Sequence, residues 1–317
     1  MTKRSTNPYF VLAPMDDVTD VVFRSVIADC ARPDYFVTEF VNVDGLQSRG
    51  RARIIHKLMI DRKTDHKIIA QLWGKTPANY QKCTDELVEM GFDGVDINMG
   101  CPVKNVASNG CCSALINNRD LAHEIIEATK AGAAGRIPVS VKTRLGFNAV
   151  DFTWHEFLLG HDLDTLTVHL RTRKEMSKVD AHWELAQEIV ARRDVLAPQT
   201  KIVGNGDVRD YAHGLELAAK TGVDGIMIGR GVFHNPYCFS PEDLWASVTP
   251  KERVALYLKH VTRFRDTWQH GERNFQSLKR FAKVYITGFD GAAELRDSCM
   301  HAEQIDDLVQ VLSNYTA

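Results

Sequence analysis

A (β/α)8 barrel followed by a small all-helical domain is the fold class this chain predicts. Three observations carry it. Eight short β-branched runs alternate with helical stretches between Phe10 and Gly229, the ends of those runs are polar or glycine-rich, and strand-like runs vanish after Thr249-Pro250. The runs are Phe10–Met15, Tyr35–Phe40, Lys67–Trp73, Gly94–Gly100, Val139–Arg144, Thr165–Leu170, Lys201–Asn205 and Gly225–Gly229. Between them Asn79–Met90, Leu121–Gly132, Trp183–Arg193 and Tyr211–Thr221 carry helical spacing, the last with Ala212, Leu215, Ala218 and Ala219 on one face. The connection from Asp44 to Asp65 is long and basic, and reads as a short helix with a mobile loop. A doubly wound sheet is the weaker alternative, since no G-x-G-x-x-G follows the first strand.

Breaks at Asn235-Pro236 and Thr249-Pro250 divide the chain into a barrel over residues 1–240 and a helical domain over 250–317. Helical patterns there cover Arg253–Trp268, Phe275–Thr287 and Ala302–Leu312. Charge in this region is polarised. Residues 251–283 hold nine Lys/Arg against three Asp/Glu, a net of +6, whereas 284–317 hold one Arg against six acids, a net of −5.

Composition bounds the rest. Of 317 residues, 44% are hydrophobic and 25% charged, which is ordinary for a globular protein. No apolar stretch approaches the roughly 20 residues that span a bilayer. Lys3 and Arg4 precede an apolar segment, Phe10–Met15, too short for a signal peptide, so a cytoplasmic location and no membrane contact are expected. The seven cysteines are odd in number and lack any C-x-x-C pair, which argues against a disulfide framework or a zinc ribbon. Reduced thiols and no metal are expected.

In a barrel of this type, chemistry sits at the C-terminal ends of the strands. Residues two apart on a strand share a face, and four polar or aromatic pairs obey that spacing: Gln71 with Trp73, Asp96 with Asn98, Lys142 with Arg144, His169 with Arg171. The endings Gly204-Asn205-Gly206 and Gly229-Arg230-Gly231, on runs seven and eight, stand where such barrels bind phosphate. Glycine lets backbone N–H groups approach the anion, and Arg230 can pair with it. A phosphate-bearing cofactor there would lay its ring over the barrel mouth. If that ring is a flavin, Lys142 supplies a cation for its N1–C2=O edge, Gln71 an amide for its pyrimidine edge, and Cys101 a general acid. A free thiol, with a pKa of about 8.5, is mostly protonated at neutral pH and can donate.

The residues in this order resemble the tRNA-dihydrouridine synthases. The resemblance runs through Leu12-Ala13-Pro14-Met15, Thr38-Glu39-Phe40, Ala70-Gln71-Leu72 and Asp96-Ile97-Asn98-Met99-Gly100-Cys101-Pro102 with Lys104. It continues through Val141-Lys142-Thr143-Arg144, Val168-His169, Arg171-Thr172-Arg173, Asn205-Gly206-Asp207 and Gly229-Arg230. It ends in Lys279-Arg280-Phe281 and Tyr285. What the resemblance implies is an FMN-dependent barrel that reduces a uridine in tRNA, drawing on NADPH or NADH. Cys101 would give a proton to C5 after hydride reaches C6. FMN would be held by Pro14, Met15, Asp16, Gln71, Lys142, His169, Asn205, Gly206, Asp207, Gly229 and Arg230. The tRNA would meet Asn98, Lys104, Arg144, Arg171, Arg173, Lys279, Arg280 and Lys283. No obligate protein partner is implied, and a monomer is expected.

Three departures from the family pattern stand out. Leu170 replaces a small residue and is expected to narrow the site near His169. Cys111-Cys112 replace glycine or alanine and are expected to leave the main assignment untouched. Asp16-Asp17 stand where Ala-Gly or Glu-Gly is common. A net charge of −2 does not favour an RNA substrate, but its distribution does. Lys279, Arg280 and Lys283 are expected to line one side of a helix, Phe275, Leu278, Ala282 and Tyr285 the other, with Arg263, Arg265 and Arg273 enlarging the patch and Arg49, Arg51 and Arg53 near the mouth. A competing reading is a flavin barrel acting on a small metabolite, as in the dihydroorotate dehydrogenases, with the terminal helices serving only packing. Such an enzyme has no need of the basic helix.

Overall fold

The computed structural model describes residues 7–317, so Lys3 and Arg4 lie outside the described residues. Eight parallel strands close into a barrel in sequence order, β8 pairing with β1. They are β1 (Tyr9–Leu12), β2 (Tyr35–Asn42), β3 (Ile68–Trp73), β4 (Gly94–Asn98), β5 (Val139–Arg144), β6 (Thr165–His169), β7 (Lys201–Asn205) and β8 (Gly225–Ile228). Strands this rich in Val and Ile are buried on both faces, as expected of parallel strands covered by helices. Register puts the polar ends on one rim: Gln71 pairs with Asp96, Asn98 with Lys142, Arg144 with His169, and His169 with Asn205. Between β2 and β3 the register shifts from Val37 to Phe40, where the Thr38 hydroxyl accepts the Gln71 amide N–H at 3.1 Å in place of a ladder bond.

The surrounding helices are α1 (Val21–Cys30), α2 (Val43–Leu46), α3 (Pro77–Glu89), α4 (Lys104–Ser108), α5 (Arg119–Ala133), α6 (Phe152–Leu159), α7 (Ala186–Leu196) and α8 (Tyr211–Thr221). Their boundaries follow capping chemistry. Asp20 accepts the Phe23 N–H at the start of α1, and Asp210 accepts that of His213 at the start of α8, which Gly222 ends at φ 75°. The connection from Asp44 to Asp65 holds the end of the short helix α2 and, after it, two 3-10 turns, Arg51–Arg53 and Ile55–Leu58.

After Thr249 come α9 (Pro250–Thr267), α10 (Ala282–Tyr285), α11 (Ala292–His301) and α12 (Ile305–Thr316). Thr249 and Glu252 form a capping box, with Pro250 at the first helical position. The single helix expected over Phe275–Thr287 is instead a 3-10 segment, Phe275–Phe281, running into the one turn of α10. The Asn274 side chain accepts the Gln276 N–H at 2.9 Å and sets the tighter start. Consequently Lys279 and Lys283 do not share the stripe that an uninterrupted α-helix would give them. The helix expected over Ala302–Leu312 begins later, at Ile305, because Gln304 and Asp307 form its capping box.

These helices lock onto the barrel through apolar and polar contacts. Phe281 stacks on Phe23 of α1 at 5.3 Å between ring centroids, while Tyr257 on Tyr285 at 5.1 Å joins α9 to α10. Lys259 and Arg263 share Asp29, and Trp268 Nε1 donates to Asp20 at 3.1 Å. Arg273 reaches the fully buried Glu39 on β2. Burial pushes the Glu39 carboxyl up to about 7, against the pull of Arg273.

Candidate functional site

The ends of β1, β5, β6, β7 and β8 surround a cleft of about 730 Å³, within the usual range for a small-molecule site. Nine of the eleven proposed cofactor residues line it: Pro14, Met15, Lys142, His169, Asn205, Gly206, Asp207, Gly229 and Arg230. Asp16 and Gln71 do not, nor do Leu170 and Cys101. Leu170 is buried in the core, so it does not narrow the cleft. Ser177, Arg209 and His234 also line the wall. No local sequence pattern marks them, because they lie beyond the strand ends and only the folding back of loops brings them in.

The glycines shape this cleft. A Cβ on Gly231 would sit 2.7 Å from the carbonyl oxygens of both Val208 and Arg209, so only glycine lets the loops after β7 and β8 approach. Gly206, at φ 130°, would push a Cβ to 2.8 Å from Ala181. Arg230 donates to Asp207 at 2.6 Å, and the buried Arg171 also binds Asp207. These cations hold the Asp207 carboxyl below the usual carboxylate range, although partial burial works against them.

Lys142 lines the cleft, and while its backbone carbonyl accepts the Met99 N–H at 2.8 Å, its ammonium makes no hydrogen bond among the described residues. Burial, reinforced by Arg144, brings its ammonium down to about 8, so it remains mostly charged at neutral pH. His169 lies well below its ordinary value for the same first reason, with Arg144, Lys142, Arg171 and Arg230 adding repulsion. Arg171 can only donate, so its 3.2 Å contact assigns the lone pair to His169 Nε2 and the proton to Nδ1.

Cys101 stands on the loop after β4, tied down by a polar chain through the barrel mouth. Ser140 donates to Asp96 at 2.6 Å, Gln71 Nε2 donates to Asp96 at 2.7 Å, and Asn98 Nδ2 donates to Gln71 Oε1 at 2.9 Å. Asn98 Oδ1 then accepts the N–H groups of Gly100 and Cys101, both at 3.0 Å. Arg144 Nε holds the Gly100 carbonyl at 2.7 Å. Gln71 thus spends most of its amide capacity inside the protein. Burial raises Asp96 to about 6 despite the donors around it.

The sulfur itself differs from the expected free thiol. Its pKa falls to about 7, first because the Cys112 side chain hydrogen-bonds to it, then through the Val103 N–H and Arg144, with burial opposing. The Cys101 sulfur, and after it complete burial, push the Cys112 thiol well up in turn. Of the two thiols that depart from the family pattern, Cys112 therefore bears on the acidity of Cys101. Two of the departures noted above, at Asp17 (φ 56°) and Cys112 (φ 53°), fall in the left-handed region where glycine is favoured. That explains why glycine is usual at such positions, and Asp17 compensates with an N–H bond to Glu39 at 2.6 Å.

The residues proposed for tRNA scatter. Lys104 on α4, Arg280 and Lys283 are exposed. Asn98, Arg144 and Arg171 are buried and engaged within the protein, Arg144 also donating to the carbonyls of Thr172 and Met176 at 3.1 Å. Arg173 lies over the Phe147 ring at 5.1 Å. Lys279 binds the carbonyls of Met300 and Ala302 at the end of α11, and Arg280 bonds the Asp17 carbonyl.

A family model described as Dihydrouridine synthase (Dus) matches residues 11–316, nearly the whole chain. The chain belongs to the dihydrouridine synthase family. It is 45% identical over 312 residues to a Staphylococcus aureus (strain Mu50) protein named probable tRNA-dihydrouridine synthase, covering 98% of this chain and 94% of the relative. A Bacillus subtilis (strain 168) protein, probable tRNA-dihydrouridine synthase 2, is 46% identical over 311 residues, with 97% and 94% covered. Among solved structures, histamine dehydrogenase from Rhizobium sp. 4-9 superposes with a TM-score of 0.56 at 12% identity, over 80% of this chain and 49% of that one. A morphinone reductase mutant in complex with tetrahydroNAD gives 0.52 at 13%, over 76% and 87%. These two share the barrel fold. No helix among the described residues is long and apolar enough to cross a membrane.

Proposed function

We propose that this protein is an FMN-dependent tRNA-dihydrouridine synthase, reducing the C5=C6 bond of uridines in tRNA with electrons from NADPH or NADH. The observation that carries the reading is the meeting of two features on one rim: a glycine-walled cleft with Lys142 unpaired in it, and Cys101 held on the adjoining strand end.

The cleft fits FMN. The close approaches at Gly206 and Gly231 leave backbone room for a phosphate beside Asn205 and Gly229, with Arg230 able to exchange Asp207 for the anion. Pro14, Met15, Lys142 and His169 would border the ring, with Gln71 buried behind that wall and Asp16 exposed outside it, paired with Lys57. When bound, FMN supplies a hydride that goes to C6 of the uracil.

Cys101 completes the addition. Its S–H bond breaks as the C5–H bond forms, and the sulfur is left as a thiolate that Arg144 and the Cys112 S–H stabilise. Lys142 stays protonated and balances negative charge in the cleft. Asn98 and Arg144 fix the loop that presents the thiol.

A uridine stacked within folded tRNA must be turned out of its stack, at a cost of a few kcal/mol. Phosphate contacts offset that cost, and Lys104, Arg280 and Lys283 are exposed for it, with the half-buried Arg173 beside them and Lys279 and Arg171 orienting the surfaces that carry them. On this reading residues 250–317 form the tRNA-binding domain beside a barrel of residues 1–240, in a monomer in the cytoplasm. Nucleoside analysis of tRNA from a strain lacking the gene tests it. Dihydrouridine should disappear from particular positions and return when the gene is restored, whereas an unchanged nucleoside profile would rule the function out.

A further inference from the structure

On the outside of the barrel, between α5 and α6, three side chains converge that the uridine chemistry does not use. His123 and Glu127 stand one turn apart on the exposed face of α5, and His161 follows α6. Their ligand atoms all lie within 4.8 Å of one another. We propose that His123, Glu127 and His161 bind a divalent transition-metal ion of the zinc or copper(II) class.

The hydrogen bonds of the buried His161 support this. Its Nδ1 lies 2.8 Å from the Phe157 carbonyl, which can only accept, so Nδ1 carries the proton and Nε2 the lone pair. That lone pair points at His123 Nδ1, 3.0 Å away. An imidazole whose far nitrogen is tied to a backbone carbonyl, with its near nitrogen free to coordinate, is the usual arrangement of a metal-ligating histidine. Without metal, His123 fills the gap with its Nδ1 proton; when a cation takes the Nδ1 lone pair, that proton leaves to solvent and the exposed Nε2 takes one up, so the imidazole stays neutral. Two nitrogens bound tetrahedrally at about 2.0–2.1 Å stand roughly 3.3 Å apart, so the pair needs to open by only a few tenths of an ångström. Two imidazoles and a carboxylate suit zinc and copper better than magnesium or calcium.

Lys130 opposes binding. Its ammonium is 3.8 Å from the Glu127 carboxylate, although a 3.0 Å bond to the His161 carbonyl tethers it. A bound ion would staple the helix that precedes β5 to the helix that follows it, bracketing the strand that carries Lys142.

The test titrates the full-length flavoprotein with Zn²⁺ against a chromophoric chelator, and follows thermal unfolding with and without Zn²⁺. One ion should bind per chain and raise Tm. His123→Ala, on an exposed helix face, should keep the fold, weaken binding roughly a hundredfold and abolish the Tm response. Lys130→Ala should tighten binding. The copper(II) form should show nitrogen hyperfine coupling that His123→Ala reduces. No stoichiometric binding, or equal affinity in wild type and His123→Ala, would overturn the site, the second outcome assigning the zinc to thiols elsewhere.

Discussion

The Asn98 side-chain carbonyl accepts the backbone N–H of Cys101 at 3.0 Å, while its amide donates to Gln71. One residue on β4 therefore connects the packed mouth of the barrel to the loop that carries the proposed acid. Asn98→Ala should leave Gln71 short of a partner and free the Cys101 loop. We expect product formation to fall by about one to two orders of magnitude through mispositioning, at a stability cost of about 1–3 kcal/mol. Single-turnover assays on pre-reduced protein, with flavin content as control, separate positioning from cofactor loss.

Acidity gives a second expectation. A general acid must be protonated, and the Cys101 thiol titrates at about 7, so the rate of the uracil step should decline as pH rises through that value. Cys112→Ala removes the donor that chiefly lowers this pKa, and the falling limb should move to higher pH. A limb that stays in place in Cys112→Ala would mean that the S–H donation is not what sets the profile.

Lys142→Ala should lower flavin affinity or slow reduction by NADPH, since the cation facing the cleft is unpaired by the protein. Absorbance of the bound flavin and stopped-flow reduction measure the two effects separately. Full flavin occupancy with an unchanged reduction rate would remove Lys142 from the proposed machinery.

Arg273 and Glu39 make a stability prediction with a pH signature. Removing one partner of a buried ion pair costs about 3–5 kcal/mol. Glu39 is raised from its ordinary value to about 7, so its contribution to stability is full below the unfolded carboxyl pKa and is lost as pH rises through the folded value. Arg273→Ala raises that folded value further. Denaturant unfolding should therefore show a larger difference from wild type at pH 8 than at pH 5, where a protonated Glu39 tolerates the loss.

For tRNA, Arg280→Gln with Lys283→Gln is the clean variant, because Lys279 also caps α11 and its loss would unsettle the helices. Binding should weaken and its salt slope should flatten by roughly one unit for each phosphate no longer neutralised. Reduction by NADPH without tRNA should not change. An unaltered slope would make the basic surface a solvated face.

Much of this was legible in the sequence because a parallel barrel writes its site into the strand ends. Lys142, His169, Asn205 and Arg230 each close an apolar run, and the closed register brings them to one rim. The sequence places Gln71 at the cofactor edge, yet its amide is largely committed to Asp96 and Asn98. That outcome depends on the β3–β4 register, which no local pattern reveals. The C-terminal region was least legible. Whether residues 275–281 coil as α or 3-10 helix depends on Asn274 and on what Lys279 and Arg280 reach, and those partners lie far off in sequence. The Cys101–Cys112 contact likewise needs the loop to fold back through a left-handed residue.

Proton delivery by Cys101 is the central claim, and Cys101→Ala under single turnover addresses it most directly. The variant should bind FMN and tRNA as wild type does and accept electrons from NADPH at the wild-type rate. The dihydrouridine formed per enzyme should fall by at least about a hundredfold. Dihydrouridine appearing at the wild-type rate would contradict that role for the thiol.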